Sequence, residues 1–349
     1  MATVHCEGHM ESAATDKQPS SGNNLWKQLI AFALGAALLY FSFRGCDFAS
    51  IWGYAQKTKP IFLILMCVSC LLSHVPRAQR WVYLLEPIEH RKVSLWNSFC
   101  AVILGYAVNI PIPRGGEVAR LVSISRSEKL PWAGVLPTML IDRMLDMVML
   151  GLLFGVTLTS LPESLKTREV VVGGFAVTAC SVAGLIALPF IGKILHIFLA
   201  NELVSKRLPQ NLSTKLSELA GQFEIGTKSL TDIRYIPKIA ILTGVIWFLY
   251  WLNLYLAVLA FDLQNQVSPM QTLLVFTMGT LGVLLPAPGS VGTYHLMVKT
   301  ALMAVSGLNE NLALAYVSVL HLLCFIIVPC VTAAVCISIQ SAGLKKQSS

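Results

Sequence analysis

Arg114, Glu117 and Arg120 follow one another at intervals of three, and Asp142, Arg143 and Asp146 come soon after, inside strongly apolar sequence. Asp142 and Asp146 are four apart and Arg143 is three from Asp146, so on helices each trio shares one side. A charge at mid-bilayer costs about 2.5–3.5 kcal/mol unless it is paired or hydrated. Six in a short stretch need partners, and the spacing sets Arg114 and Arg120 against Asp142 and Asp146, with Glu117 near Arg143. Two uses stay open. The cluster pins one helical element to another, as buried ionic networks do. Alternatively, part of the charge, with Asn109 and freed backbone N–H groups, receives an anionic head group. Arginine suits phosphate through its planar, paired donors, and a helix restarting nearby aims its positive end at the same place.

Beside these charges the chain breaks its own helices. Pro111, Pro113, Gly115 and Gly116 interrupt one apolar region, and Pro286, Pro288, Gly289 and Gly292 interrupt another, the prolines lying 175 residues apart. Such breaks free backbone groups that lipid cannot satisfy, so they persist only against protein or a water-filled cavity. Paired interrupted segments in two halves are the sequence mark of a transporter's central site. The second break is followed by Thr293, Tyr294, His295 and Lys299. His295 suits proton relay or a hydrogen bond to phosphate, and equally an interhelical contact. His74 and His321 lie in apolar spans and read as packing or interhelical hydrogen bonds.

The elements that must position these residues are membrane helices. The 349 residues are 55% apolar and 13% charged, with mean hydropathy +0.67, against about 25% charged in soluble domains. Spans of about 20 apolar residues are predicted near 26–43, 60–79, 133–160, 170–190, 238–261 and 312–338. Two regions, about 94–125 and 270–306, hold the breaks, and their halves are too short to cross; they read as re-entrant hairpins. Basic residues in the 191–237 loop, around the first hairpin and at Lys345 and Lys346 place the loop and both termini in the cytoplasm. The hairpins then enter from opposite sides, as an inverted repeat requires. Leu212, Leu216, Leu219, Phe223 and Leu230 give the loop a helical stripe suited to the membrane surface or to the protein's own cytoplasmic face.

The expected organisation is a disordered cytoplasmic tail over 1–24, a transmembrane domain over 25–338 and a second tail over 339–349. The domain divides into halves at 25–190 and 238–338 around the 191–237 linker. The formal charge of +8 reports topology and contact with anionic lipid, and no nucleic-acid partner is implied. Cys67 and Cys70 have redox-motif spacing but sit in a predicted span, where packing is the reading. His5, Cys6 and His9 are a weak metal-like spacing in a tail. Nothing resembles a Gly-rich phosphate loop, a metal-spaced His/Glu pair or a nucleophile elbow, so catalytic residues, metals and cofactors are all expected to be none.

At these residues the chain resembles the lysylphosphatidylglycerol synthase transmembrane-region family. The matching features are Arg77-Ala-Gln-Arg80-Trp81, Pro113-Arg114-x-Gly116-Glu117-x-x-Arg120, Asp142-Arg143-x-x-Asp146 and Leu285-Pro-x-Pro-Gly289-x-x-Gly292, in the family's order. The resemblance implies an all-α polytopic fold with about six transmembrane helices, two inverted re-entrant hairpins, and flippase-like lipid translocation. His295 stands where relatives often carry Glu, and Asp142-Arg143 where they carry Glu-Arg. The sequence ends at Ser349 without the soluble aminoacyl-transferase domain of the full-length synthase. The expected function is a cytoplasmic-membrane translocase moving an anionic phospholipid or lipid-linked head group. The alternatives are a membrane scaffold for a separate synthase, and the membrane half of a glycosyl- or aminoacyl-transferase. Oligomeric state is not legible.

Overall fold

A computed structural model describes residues 33, 36–88, 91–158, 167–200, 210–285 and 287–347. The tail at 1–24 with His5, Cys6 and His9, half of the first predicted span, and Pro286 lie outside them. The described residues form helices and no strand. In order they are α1 (36–43), α2 (Phe48–Gln56), α3 (Pro60–Leu85), α4 (Leu95–Asn109), α5 (Gly115–Ser127), α6 (Trp132–Thr157), α7 (Arg168–Ala200) and α8 (Gln210–Thr227). There follow α9 (Ile236–Ala260), α10 (Pro269–Leu284), α11 (Thr293–Ser306), α12 (Glu310–His321), a π-helical turn (Leu322–Ile327) and α13 (Val328–Gln347). The protein is a polytopic helical membrane protein.

Among the described residues, four segments are long and apolar enough to cross a bilayer: Pro60–Ile88, Val171–Ile191, Ile236–Ala260 and Glu310–Ala342. α6, with 26 residues, spans about 39 Å at 1.5 Å per residue, long enough to cross. Its three charges set it apart. Along α3 and α7, Ile64, Leu72, Phe175 and Ile186 are exposed, the outward apolar surface that lipid requires. α13 continues through the stretch expected as a tail, as far as Gln347.

The two broken regions form helical hairpins. α4 has 15 residues and α10 has 16, about 22–24 Å each, short of the roughly 30 Å hydrocarbon core. The first hairpin closes through glycine. A Cβ on Gly116 would strike the Gly105 carbonyl, and one on Gly105 would lie 2.5 Å from Arg120 Cγ. The Arg120 stem therefore crosses α4 where there is no side chain. At the open end, Glu128 is buried and accepts from Asn97 Nδ2 at 2.7 Å, from the Ser94 amide at 3.2 Å and from Arg91 at 2.9 Å. The second hairpin starts with a Ser268/Gln271 capping box and closes where Gly282 faces the Thr293 carbonyl.

Long helix, hairpin, long helix is the order in both halves: α3, α4–α5, α6, and then α9, α10–α11, α12–α13. The packing follows the same exchange. α3 lies antiparallel against α9, α10 of the second half packs on α6 of the first, and α4 of the first packs on α13 of the second. One end is marked by Lys59 and Asp262 at 2.6 Å, with Asp47 bonded to Asn311 and Tyr54 to Asn309. The opposite end carries Arg91, Glu128 and Tyr235. α8, in the middle loop, packs on α6 and α7, and a Cβ on Gly226 would strike the Gly134 carbonyl. Of the linker's helical stripe, Phe223 and Leu230 pack against the core, while Leu212 is exposed.

Candidate functional site

The charges meet at the junction of α3, α5, α6 and α9. Pro76 in α3 removes the N–H that would bond the Leu72 carbonyl, and Pro137 does the same in α6. Beyond these points α3 presents Arg77, Arg80 and Trp81 on one side, and α6 presents Asp142 and Asp146 towards them. Arg80 Nη2 donates to Asp142 Oδ1 at 2.6 Å and to Asp146 Oδ1 at 2.8 Å. Its Nη1 reaches Thr243 Oγ1 of α9 at 3.1 Å. Arg77 Nη2 donates to Asp146 Oδ2 at 2.6 Å and to Asp142 Oδ2 at 3.3 Å, and Nη1 donates to Tyr250 Oη at 2.9 Å. Tyr250 in turn meets Tyr106 of α4 at 3.2 Å.

Arg120 comes from α5 over Gly105 and reaches Asp142 Oδ2 at 3.3 Å, its guanidinium 4.3 Å from the Trp81 ring centre. Trp81 is fixed by its Nε1–H bond to Thr138 Oγ1 at 3.0 Å, so a cation–π contact and Asp142 hold Arg120, with Glu117 further off at 3.8 Å. Arg143 turns the other way and donates to Glu117, with Asp146 at 3.8 Å.

These positions amend the pairing expected from spacing. Glu117 does meet Arg143 and Arg120 does meet Asp142. Arg114, however, has no carboxylate partner among the described residues. The closest partners of Asp142 and Asp146 are Arg77 and Arg80 of α3, whose place in the ion network the spacing argument missed. The signal was present: arginines three apart answer aspartates four apart. Their position at the end of an apolar span made them read as topology-setting flanks.

Asn109 also has a local task. Its Oδ1 accepts from the Gly116 amide at 2.9 Å, capping the start of α5 from the end of α4. Arg114 sits before α5 with φ of 61°, a left-handed backbone that costs a non-glycine residue about 1–3 kcal/mol. That conformation turns its side chain out of the helix.

A cavity of about 790 Å³ lies between the two hairpins. Asn109, Pro113 and Arg114 of the first break border it, and so do Leu285, Ala287, Gly289 and Ser290 of the second. Arg77, Glu117, Arg143 and Asp146 supply charge on one wall, while Phe276, Val283, Leu284 and Phe325 supply apolar surface on another. Trp247, Tyr250 and Asn253 face it along α9, where Trp247 Nε1 and Asn253 Oδ1 have no hydrogen-bond partner. Arg77 Nε, Arg120 Nε and Arg120 Nη2 are buried without partners as well. An unsatisfied buried donor costs about 1–3 kcal/mol, more when charged.

His295 does not border the cavity. It is buried with its ring centre 4.7 Å from that of His321, and His321 Nε2 donates to the Gly289 carbonyl at 2.8 Å. His321 thus ties the π-helical turn to the second break, a contact that sequence spacing does not show. Lys299, one turn beyond His295, is buried and paired with Glu310 at 2.6 Å and the Ser42 carbonyl at 2.7 Å. Cys70 donates to the Cys324 carbonyl at 3.5 Å, and both thiols are free. Among the described residues no group of three His, Cys, Asp or Glu side chains gathers as a metal site.

No curated protein matches the chain, and no solved structure matches it. Residues 28–331, which hold both hairpins and every residue of the charged junction, match the lysylphosphatidylglycerol synthase TM region. With nearly all of its membrane helices inside that match, the chain belongs to the lysylphosphatidylglycerol synthase TM region family.

Proposed function

We propose that the protein moves lipids with anionic head groups between leaflets, the head group passing through the cavity between the hairpins. The observation that carries this reading is the cavity itself. It borders both helix breaks and is walled by arginines, two of which, Arg114 and Arg143, are not sealed into the protein. Backbone released at a break is tolerated only where it lines such a space. In this reading both hairpins are re-entrant, entering from opposite faces, and the basic middle loop and both termini lie in the cytoplasm.

Arg114 and Arg143 make the first contacts with the head group, and Arg77 is the deeper one. Glu117 and Asp146 hold two of these cations and so keep the grip reversible. The apolar wall from α10 and the π-helical turn accommodates the upper part of the chains, whose ends stay in the bilayer. Arg80, Arg120 and Asp142 lie behind this surface as its support. His295 acts through His321 on the second turn, not on the head group. Transport is downhill or ion-coupled.

The test is leaflet exchange of fluorescent anionic and zwitterionic lipids in liposomes holding the purified chain, with Arg114→Ala and Arg143→Ala checked for folding. Exchange of anionic lipid that both variants lose supports the reading. Exchange unaffected by either, with folded protein, removes it.

A further inference from the structure

The charges at the junction do not balance. Arg77, Arg80, Arg114, Arg120 and Arg143 face Glu117, Asp142 and Asp146, and among the described residues no other ionised side chain borders the cavity. Guanidinium groups stay protonated in proteins, so two positive charges remain uncompensated when all three carboxylates are ionised. Protonating any carboxylate only enlarges the excess. At membrane depth each surplus charge is costly, and its natural complement is a ligand of charge −2.

The hydrogen bonds point the same way. Every carboxylate here is already held by arginine: Asp142 by three, Asp146 by Arg77 and Arg80, and Glu117 by Arg143. The unpartnered groups are mainly donors, including Arg77 Nε on a side chain 3% exposed. A head group bearing an ammonium finds no free carboxylate, whereas one rich in acceptor oxygens finds free N–H groups.

We infer that the preferred ligand is a lipid phosphate monoester, a dianion with three terminal oxygens, in preference to a phosphodiester or an aminoacylated head group. This rests on the cavity being the lipid path. A monoester loses its second proton near pH 6 and carries about −1.5 to −2 at pH 7; a diester carries −1 throughout. The arginines do not titrate in this range, so pH dependence belongs to the ligand.

The experiment compares dioctanoyl phosphatidic acid with dioctanoyl phosphatidylglycerol, same chains and different phosphate, binding to the detergent-purified full chain between pH 5 and pH 8. The expected result is at least about tenfold tighter binding of the monoester at pH 8. That preference shrinks several-fold by pH 5, while diester binding stays flat. Arg114→Gln should reduce the preference, and its thermal unfolding reports folding separately. Equal binding of both lipids at pH 8, or tighter binding of a lysyl-esterified diester, overturns the monoester inference and leaves anionic-lipid transport standing. Binding of neither lipid to folded protein overturns both.

Discussion

Arg80 and Asp142 are both completely buried, and they meet at 2.6 Å between α3 and α6. A pair this deep adds little net stability over an apolar substitute. Removing one member is another matter, because the other is left charged in the interior. Arg80→Ala is expected to cost about 3–5 kcal/mol and to show as loss of monodisperse protein in detergent. Arg80→Lys, which keeps a cation beside Asp142 and Asp146 while Arg77 and Arg120 keep their partner, should recover part of it, as read by thermal unfolding.

Arg143 is the contrasting case. Its side chain is 44% exposed and bonded to a Glu117 side chain that is 33% exposed, so the pair should contribute no more than about 1 kcal/mol. Arg143→Gln should therefore stay folded. If it meets the head group, losing one charge-assisted contact of about 1.5–3 kcal/mol should lower lipid affinity by about tenfold or more. Lipid titration beside thermal unfolding separates the two effects.

Gly116 is required by distance. A methyl there would overlap the Gly105 carbonyl and the Asn109 amide, so Gly116→Ala must open the hairpin and loosen the cap Asn109 makes on α5. Overpacking of this kind costs about 1–3 kcal/mol. Gly155→Ala, where nothing lies within 4 Å, should be neutral or slightly stabilising. Unfolding temperatures of the two variants test the difference.

His321→Phe removes the bond to the Gly289 carbonyl and should cost about 0.5–1.5 kcal/mol. Gln, which keeps a donor, should restore part of it. A larger change in lipid exchange than in stability would place this bond in the movement of the second turn.

Much of this was readable from residue types. Pro111, Pro113, Pro286 and Pro288 in apolar sequence announce breaks that helices cannot absorb, and both hairpins lie where those prolines are. Asp142 and Asp146 announce a buried network because nothing else makes a carboxylate tolerable there. Their partners were harder to find: Arg77 and Arg80 belong to a different helix, and only the packing of α3 on α6 joins them. In sequence Asn109 looks like a ligand group, because capping seven residues ahead follows no local rule. The π-helical turn at Leu322–Ile327 and the tilted contact between the His295 and His321 rings arise from tertiary packing and leave no periodic trace.

If lipid passes between the hairpins, filling that space must stop it. Thr280 of α10 borders the cavity and its hydroxyl bonds only within its own helix, to the Phe276 carbonyl at 2.8 Å. Thr280→Trp would place an indole in a space of about 790 Å³ without touching the charged junction. Leaflet exchange of an anionic lipid should be present with the original chain and fall close to the protein-free rate with the folded variant. Equal exchange by the two would mean that lipid does not pass between the hairpins.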